Sequence, residues 1–568
     1  MFIANTDHQE EFLSIWSELL SPEKLERLKS SRDYYFYKLI FCNIKEEDFS
    51  CLYSAKPSAP NSPVNCLVGA QILLRHRKWS HEELFSQIEF NVSVRVALGI
   101  KDLDSVPFSS RTLYNFNNRL SAHTNRTGEN LLEKVFNRLT ADQLKELKIK
   151  TSIQRADSVL INSNIRSYSR LSLLVEVLRR VYNILSESDK QTYKIWFKPY
   201  RQGGEKYIYS LKAGEKLPRM EYLAEVYYSI HQHLTATYSE HPVFQMFQRV
   251  YSEHFKEDAK AEDFPIVLRP KEELGSNTMQ SPDDLEATFR SKRKESYQGF
   301  LALGMETCHP ENELNLVTAL VTATNNTDDS VMLEENLDQM KERTPDLEEC
   351  HVDGGFGSEG VDIKAEKHNI TIIQTAVKGA TPKVPIGIHG NEKDGFTVNC
   401  PHPEQLPVIA RKARKNWMAS FDLAICEKCP FYNQCPTKSE RKHKQGKTIL
   451  RFKATEALKQ KRHKALQKIP EERRTLRAGS ERLMGSLRRG EKHTGKLRLR
   501  GRFNFDSYVF SLGIAINFER IFRYLRHFLT FCASQGPCIV SCQTTFDNVL
   551  IKLSFSKYLV VFDKTRVN

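Results

Sequence analysis

The strongest constraint on the fold is an alternation of strand-like and helix-like segments between residues 296 and 377. Two strand-like runs, SYQGFLALGMETC and LNLVTALVTATN, precede an amphipathic run, TDDSVMLEENLDQMKER, in which Asp328 or Asp329 suits the N-cap. LEECHVDGGFGS and NITIIQTAV then complete a β–α–β alternation. Because strands joined through a helix run parallel, this pattern predicts an α/β domain with a mixed, partly parallel sheet.

Asp353 follows one of these strands, at the end where open α/β sheets place their ligands. Gly354, Gly355 and Gly357 come next, which leaves little side-chain bulk over the carboxylate and permits a tight turn. The pattern predicts a ligand-binding carboxylate. A structural turn aspartate is the alternative interpretation.

Two further carboxylates have contexts that suit a metal ligand. Asp157 lies in KIKTSIQRADSVLIN at 148–162, a strand-like run that fixes it between apolar neighbours. Glu481 lies in RTLRAGSERLMGSLRR, where helical spacing predicts Arg477, Glu481 and Arg488 near one face. A surface ion-pair network is the alternative for this segment. Carboxylates that converge from distant segments are what paired Mg²⁺ ions, about 3.5–4 Å apart, require at a phosphodiester.

The chain has 568 residues, which is long enough for two to four domains. Its formal net charge of +14 suits a polyanionic partner. Residues 401–500 contain 27 Lys plus Arg against 9 Asp plus Glu, so the net positive charge of this stretch is larger than that of the whole chain. RKARK at 411–415, RKHKQGK at 441–447 and KQKRHK at 459–464 could neutralise several phosphates. A solvated charged face is the alternative.

Residues 1 to about 125 show helical periodicity and predict a compact N-terminal module of the DNA-binding type. Its last segment, DSVPFSSRTLYNFNNRL, predicts a helix capped by Ser109 or Ser110 that displays Arg111 and Arg119 together with amide side chains. Such side chains suit DNA contacts, although an ordinary amphipathic helix explains them equally well. A further helix-rich stretch, at about 166–260, is typical of an insertion.

Four cysteines cluster late in the chain, in VNCPHPE and ICEKCPFYNQCP. Cys426 and Cys429 form a CxxC pair, flanked by Cys400 and Cys435. Four thiolates suit a structural Zn²⁺, with His402 as a substitute ligand, whereas free cytosolic thiols are the alternative.

Other patterns narrow the range of functions. The N-terminus lacks the basic and apolar regions of a secretory signal, which predicts a cytoplasmic protein. FDSYVFSLGIAINFERIF contains Asp506, Glu519 and Arg520, so we expect a buried strand or helix and no membrane span. The GKT sequence at 446–448 lacks the glycine of a phosphate-binding loop, which argues against nucleotide hydrolysis.

The three carboxylate segments together resemble those of the DDE transposases of bacterial insertion sequences. QRADSVLINSNI is similar to the first-Asp motif, HVDGGFGS to the second-Asp motif and RAGSERLMGSL to the Glu-helix motif. The group named for insertion sequence 1182, within the IS4/IS5-like set, is the most similar, because SPDDLEATFRSKRKESYQGFLALGMETC resembles the stretch before its second strand. The N-terminal module resembles the InsH-type domain, and the resemblance covers roughly residues 30–525.

This resemblance implies an RNase H-like catalytic domain at 148–525, with the helical insertion and a Cys-rich insertion at about 395–445. It also implies cleavage of DNA at element ends and strand transfer into target DNA. By position, Asp157, Asp353 and Glu481 correspond to the catalytic, metal-binding triad for two Mg²⁺ ions, which Mn²⁺ can replace. The expected partners are terminal inverted repeats, target DNA and a second copy of the chain, in the cytoplasm and associated with the nucleoid through DNA. The DNA contacts expected are Arg111, Arg119, Arg477 and Arg488.

Residues 526–568 depart from the resemblance, and a lineage-specific strand pair and a readthrough product are both compatible with them. Their cysteines, Cys532, Cys538 and Cys542, have no assigned role. Two other functions also stay open. One is a metal-dependent DNA nuclease of the same fold without strand transfer, and the other is a catalytically inactive DNA-binding regulator.

Overall fold

The computed structural model describes residues 1–534, except residues 6–15, 17, 55, 57, 58, 259–264, 293, 375–383, 415 and 440–445. Its N-terminal part is helical, as predicted, and the helices continue to residue 146. They are α1 (Pro22–Lys29), α2 (Arg32–Leu39), α3 (Val64–Arg77), α4 (His81–Phe90), α5 (Val92–Ala97), α6 (Ser110–Thr127) and α7 (Leu131–Glu146). Ser109 caps α6 in a capping box with Thr112, which decides between the two predicted caps.

A mixed sheet follows, built from segments spread over more than two hundred residues. Its strands are β1 (Ile153–Asn162), β4 (Thr288–Lys292), β5 (Glu295–Thr307), β6 (Val317–Thr324), β7 (Glu349–Val352) and β8 (Thr371–Gln374), while β2 (Phe255–Glu257) and β3 (Ile266–Leu268) form a separate hairpin. β1 pairs antiparallel with β5 and parallel with β7, and β7 pairs parallel with β8. β4 and β6 pair with successive parts of the other edge of β5. The main order is therefore β6–β5–β1–β7–β8.

A helical insertion separates β1 from β4. Its helices are α8 (Arg170–Ile184), α9 (Glu187–Thr192), α10 (Lys194–Phe197), α11 (Gly204–Tyr209), α12 (Lys216–Tyr238) and α13 (Pro242–His254). Apolar side chains of α8, α12 and α13 meet around Tyr227, whose hydroxyl donates to the carbonyl of Leu174 at 2.8 Å. Among the described residues this core is separate from those that flank the sheet, so the insertion is a structural unit of its own.

Between β8 and the C-terminal helices lies a second insertion, which consists mainly of strands. β9 (Gly387–Asn391), β10 (Gly395–Asn399) and β11 (Val408–Ile409) form one antiparallel sheet, and β12 (Arg411–Ala413), β13 (Asn416–Asp422), β14 (Lys438–Ser439) and β15 (Lys447–Phe452) form another. The ring of Phe396 packs edge to face against Trp417 and Phe452, at 4.9 and 5.7 Å between centroids. The basic run predicted at 441–447 lies largely outside the described residues.

The remaining helices are α14 (Asp329–Arg343) and α15 (Glu359–Lys367), and after β13 come α16 (Leu423–Glu427), α17 (Ala454–Lys468), α18 (Glu471–Arg474), α19 (Ser480–Leu487) and α20 (Arg502–Ser534). Most of these helices pack on the two faces of the central sheet, and α16 packs on the strand insertion. Leu160 and Leu303 face α14 and α15 on one side. Val159 and Ala302 face α19, α20 and the N-terminal helices on the other. Both faces of the sheet are thus buried, as expected for a largely parallel region between helices.

Helix α20 contains the apolar segment 505–522 and is buried along most of its length, which confirms the prediction of a buried element. Asn517 within it pairs with both backbone groups of Val317 on β6, donating to the carbonyl at 2.9 Å and accepting the amide at 2.8 Å. This polar pair anchors an otherwise apolar helix in one register against the sheet. None of the helices in the described part of the chain is both long and apolar enough to cross a membrane.

Gly304 lets α19 approach the sheet closely. It lies opposite Asp157 in the antiparallel β1–β5 pair, and a Cβ at this position would lie 2.8 Å from Leu483 Cδ2 and 3.2 Å from Met484 Cε. Both side chains are buried on α19. A larger residue on β5 must therefore push α19 away from β1.

We expect Gly304→Val to destabilise the protein by about 1–3 kcal/mol through overpacking, measured as the free energy of unfolding in denaturant. Gly485→Ala on the exposed side of α19 is the matched control, because a Cβ there meets no atom within 4 Å. The control should be neutral or stabilise by about 0.5–1 kcal/mol. Equal destabilisation by both substitutions would contradict the close approach.

Candidate active site and cysteine cluster

Asp157 lies within β1, as the sequence predicts, and is only 8% exposed. Its Oδ2 accepts hydrogen bonds from Arg477 Nη2 and from Ser480 Oγ, each at 2.9 Å. Its Oδ1 accepts the amide of Ser158 at 2.9 Å. The carboxylate on the central strand is therefore held by the segment that begins α19, more than three hundred residues later in the chain.

Asp353 follows directly after β7, which confirms its predicted place at a strand end. The parallel register pairs Ile153 with Glu349 and Arg155 with His351, which is the last pair between the two strands. Asp157 and Asp353 each follow these last paired residues by two positions. Asp353 has left β7 and caps the 3₁₀ turn Gly354–Phe356, with φ −80° and ψ 171°. The register therefore puts both aspartates in the same part of the sheet.

The turn after Asp353 leaves space beside its carboxylate. The amide of Gly355 donates to Asp353 Oδ1 at 2.6 Å. A Cβ on Gly355 would lie 2.8 Å from Asp353 Oδ1 and 3.4 Å from Asp329 Oδ2. Space that a side chain would fill therefore remains open between two carboxylates, and their oxygens suit a hard cation such as Mg²⁺.

Asp329 lies near Asp353 on the far side of Gly355, a placement that sequence reasoning missed, since it treated the pair Asp328–Asp329 only as a helix cap. Asp328 is the N-cap of α14 but makes no side-chain capping bond, whereas the buried Asp329 accepts the hydroxyl of Ser158 at 2.8 Å. Arg290 Nη1 lies 3.8 Å from Asp329 Oδ1. Two adjacent aspartates at a helix start are the only sequence signal, and it does not distinguish a cap from a site residue.

Glu481 lies in the first turn of α19, directly after Ser480, and its side chain is exposed. Ser480 contacts Asp157 directly, and Glu481 is the next residue in the chain. Asp157 and Asp353 thus follow the same strand pairing, and Glu481 lies beside Ser480 on α19. Within the described residues, however, no three His, Cys, Asp or Glu side chains converge tightly enough to hold a metal ion.

The prediction of one helix face carrying Arg477, Glu481 and Arg488 is wrong. Arg477 lies in a 3₁₀ turn over Leu476–Gly479, and Arg488 follows the last residue of α19. Arg477 instead reaches Asp157, and Arg488 Nη2 donates to the carbonyl of Leu160 at 3.0 Å. Both arginines therefore face the sheet through different local structures.

Arg155, two residues before Asp157, holds this turn. Its Nε donates to Glu306 Oε1 at 2.7 Å, and its Nη1 donates to the carbonyl of Leu476 at 2.8 Å. Glu306 is fully buried, and Arg520 Nη2 lies 2.6 Å from its other oxygen as a charge contact without hydrogen-bond geometry. Nothing in the sequence distinguished Arg155 as more than a polar strand residue.

The cysteines Cys400, Cys426, Cys429 and Cys435 line one cavity of about 20 Å³, room for roughly one water-sized sphere. Burial, followed by the neighbouring thiols, raises the pKa of Cys426 to about 11. Burial also raises the pKa of Cys400. His402 is not part of this lining; its Nδ1 accepts the amide of Glu404 at 3.4 Å.

The four thiols are the type of ligand that a structural zinc site uses, although their sulfur atoms are not close enough together to surround an ion. Four soft ligands face one cavity, which agrees with a tetrahedral thiolate site. Because no tight ligand group occurs among the described residues, the thiols must move closer together to bind an ion. A cysteine binds a metal ion as its thiolate, so binding of an ion at this cavity would release protons.

Arg111 and Arg119 are exposed on α6, opposite its buried Leu113, Phe116 and Leu120. The guanidinium of Arg119 lies 5.0 Å from the ring centre of Tyr53, a cation–π contact that limits its freedom. No acidic residue occurs in α6. The exposed face of this helix is therefore positive.

The C-terminal tail from residue 535 lies outside the described residues.

A family model described as a transposase DDE domain matches residues 399–522. The matched segment includes the four cysteines, Glu481 and most of α20, and excludes both Asp157 and Asp353. This match supports a DDE transposase, an enzyme of DNA transposition with DNA as its partner. No curated protein and no solved structure matches the chain.

We expect Arg155→Met to destabilise the protein by about 2 kcal/mol, because two hydrogen bonds from a charged donor disappear and Glu306 keeps only one cation. Amide exchange should also accelerate in residues 471–480, measured by mass spectrometry. Arg482→Met is the matched control, since Arg482 is exposed on α19. If both variants exchange like the wild type, Arg155 does not hold this segment.

Proposed function

We propose that the chain is a DDE transposase whose catalytic carboxylates are Asp157, Asp353 and Glu481. The observation that carries this proposal is the register of β1 and β7, in which two separately predicted aspartates follow the same residue pair, Arg155 and His351, by two positions. Glu481 enters the same region through the contact between Ser480 and Asp157. The family match over residues 399–522, which contains Glu481, agrees with this assignment.

The strand order supports an RNase H-like core. Three antiparallel strands, β6, β5 and β1, continue into two strands parallel to β1, with helices between β6, β7 and β8. We propose that the chain belongs to the group of transposases named for insertion sequence 1182. We also propose that its N-terminal domain is of the InsH type. The helical insertion between β1 and β5 and the cysteine-containing interval before Glu481 agree with that proposal.

The three carboxylates would hold two Mg²⁺ ions, or Mn²⁺ in their place. Bound ions of this kind neutralise phosphate charge and make a bound water a stronger nucleophile at neutral pH. Asp157 Oδ2 accepts a hydrogen bond from Arg477, and the remaining lone pairs of the carboxylate would serve as metal ligands. The other nitrogens of the Arg477 guanidinium would bind a phosphate oxygen close to the reacting centre.

The proposed reaction has two steps at one site. Water attacks a phosphodiester at the element end and releases a 3′-OH together with a 5′-phosphate. The 3′-OH then attacks a phosphodiester of target DNA and displaces another 3′-oxygen. The protein contributes orientation and charge, for which the rigid placement of Asp157 and Asp353 on the central strands is suited.

The substrate is double-stranded DNA, both as terminal inverted repeats and as target. Arg111 and Arg119 on α6 would bind the DNA backbone, with Asn115 and Asn118 exposed beside them for base edges. Arg488 would join Arg477 near the cleaved strand. We further propose that the chain acts as a homodimer on paired ends, in the cytoplasm and at the nucleoid through DNA.

Asp157→Asn and Asp353→Asn should each reduce Mg²⁺-dependent cleavage of a labelled fragment with the element's ends by about three orders of magnitude or more. Each removes a charged ligand while keeping the side-chain shape. Asp346→Asn, an exposed aspartate just before β7, is the matched control and should retain activity.

The proposal fails if a folded Asp157→Asn protein cleaves like the wild type. Strand transfer is tested separately with pre-cleaved ends: cleavage without strand transfer identifies a nuclease. DNA binding without cleavage in either Mg²⁺ or Mn²⁺ identifies a regulator.

We also propose a structural Zn²⁺ at Cys400, Cys426, Cys429 and Cys435, because all four thiols line one cavity. Purified under reducing conditions, the protein should contain about one zinc per chain, measured by atomic emission. Cys426→Ser with Cys429→Ser should remove most of it and make the strand insertion more sensitive to proteolysis.

Cys51→Ser is the control for zinc content, since Cys51 is exposed in the N-terminal region and does not line the cavity. A chelator should lower the melting temperature of the wild type and of this control but not of the double variant. Folded, reduced wild-type protein without zinc would refute the site.

A further inference from the structure

The helical insertion has an uneven distribution of charge. Residues 194–219 contain seven Lys or Arg and only two Glu. The rest of the insertion, over 166–193 and 220–258, contains seven Lys or Arg against nine Asp or Glu. The positive charge of this domain is therefore concentrated in one stretch of 26 residues, which spans α10, α11 and the start of α12.

The cations within residues 194–219 also differ from those in the rest of the insertion in their ion pairs. Outside the stretch, six of the seven cations lie within ion-pair distance of a carboxylate: Arg166, Arg179, Arg180, Lys190, Arg249 and Lys256. The seventh, Arg170, donates to His254. Inside the stretch, none of the seven cations has an ion pair among the described residues, and all seven side chains are exposed. They are Lys194, Lys198, Arg201, Lys206, Lys212, Lys216 and Arg219. Unpaired cations leave their full charge to act on the surrounding solvent.

The same stretch forms one compact layer, here called the basic layer (residues 194–219). Tyr200 is buried at its centre, and its ring packs edge to face on Tyr207 at 5.0 Å. The charge of Arg219 also acts on the Tyr200 hydroxyl, which places the start of α12 beside the same ring. Tyr209 and Ile195 project from the layer with 89% and 77% of their surfaces exposed. A well-ordered layer with exposed cations and an exposed aromatic ring is typical of nucleic-acid surfaces.

The insertion starts from the proposed catalytic edge of the sheet. β1 leaves the sheet at Asn162, five residues after Asp157, and its carboxyl end is the edge where Asp353 also lies. The returning chain is tied to the same edge, where Ser163 Oγ donates to Asp284 Oδ2 at 2.5 Å. Arg180 on α8 pairs with Asp283 at 2.6 Å, which holds the insertion against this edge. The root of the insertion therefore lies five residues along β1 from the proposed catalytic Asp157.

We infer that the basic layer is a second DNA-binding surface, which binds the phosphate backbone of double-stranded DNA outside the cleaved position. This inference rests on the proposed function for the identity of the polyanion. Seven exposed cations without ion pairs, on α10, α11, the start of α12 and the turns between them, can bind several phosphates without reading base sequence. The basic layer would position flanking or target DNA, while α6 binds the element end.

The test uses the full chain in EDTA, so that binding is measured without cleavage. The probe is a fluorescently labelled duplex of random sequence, titrated at several salt concentrations. Lys194→Gln, Lys206→Gln and Lys216→Gln are combined in one variant. Lys24→Gln, Lys145→Gln and Lys271→Gln form the matched control, because these three lysines are also exposed and have no ion pair among the described residues. All six positions are exposed, so both triple variants should fold like the wild type, as circular dichroism will check.

The basic-layer variant should reduce the slope of log K against log salt concentration by about 0.9 for each phosphate that the protein no longer binds, up to about 2.7. Its affinity at low salt should fall by about tenfold, while the control variant keeps the wild-type slope and affinity. Equal slopes for the wild type and both variants would overturn the inference while leaving DNA binding, and hence the proposed function, intact. A wild-type protein that does not bind duplex DNA at any salt concentration would overturn both.

Discussion

The arrangement of the site depends on the buried carboxylate of Glu306 and the arginine that neutralises it. Glu306 on β5 is fully buried between Arg155 from β1 and Arg520 from α20. A buried charge without a partner costs several kcal/mol, so these three elements must meet for the chain to fold. Arg155 then uses a second nitrogen to hold the carbonyl of Leu476. The ion pair in the core thereby positions the turn that presents Arg477 and Ser480 to Asp157.

The two insertions extend this core without disturbing its packing. The helical insertion follows β1 and the strand insertion follows β8, so both leave from strands that lie parallel at the same end of the sheet. Each has its own hydrophobic core among the described residues. A domain with its own core can be added at a strand end while the sheet keeps its buried faces. The insertions can therefore carry charge and thiols that the apolar core could not hold.

Local patterns predicted the strands around two of the candidate site residues. A strand-like run surrounds Asp157 and glycines follow Asp353, but the choice of Asp157 also needed the resemblance to the DDE transposases. The same reasoning placed Arg477, Glu481 and Arg488 on one face of a helix, which is wrong. Arg477 lies in a 3₁₀ turn that is hydrogen-bonded to the distant Arg155, and the spacing of residues in the sequence cannot reveal such a turn. Asp329 was missed for a related reason. Its role depends on Ser158, which is 171 residues away.

By itself, the sequence determined the order of the carboxylates, the spacing of the cysteines and the excess of basic residues, because these are properties of local composition. Only the tertiary structure decided that Asp157 and Asp353 follow the same pair of residues on β1 and β7, that Arg477 pairs with Asp157, and that the cations of residues 194–219 have no ion pairs among the described residues. Strand register and ion pairing depend on contacts between residues far apart in the chain. Those contacts are chosen by burial of whole elements, which no local pattern records.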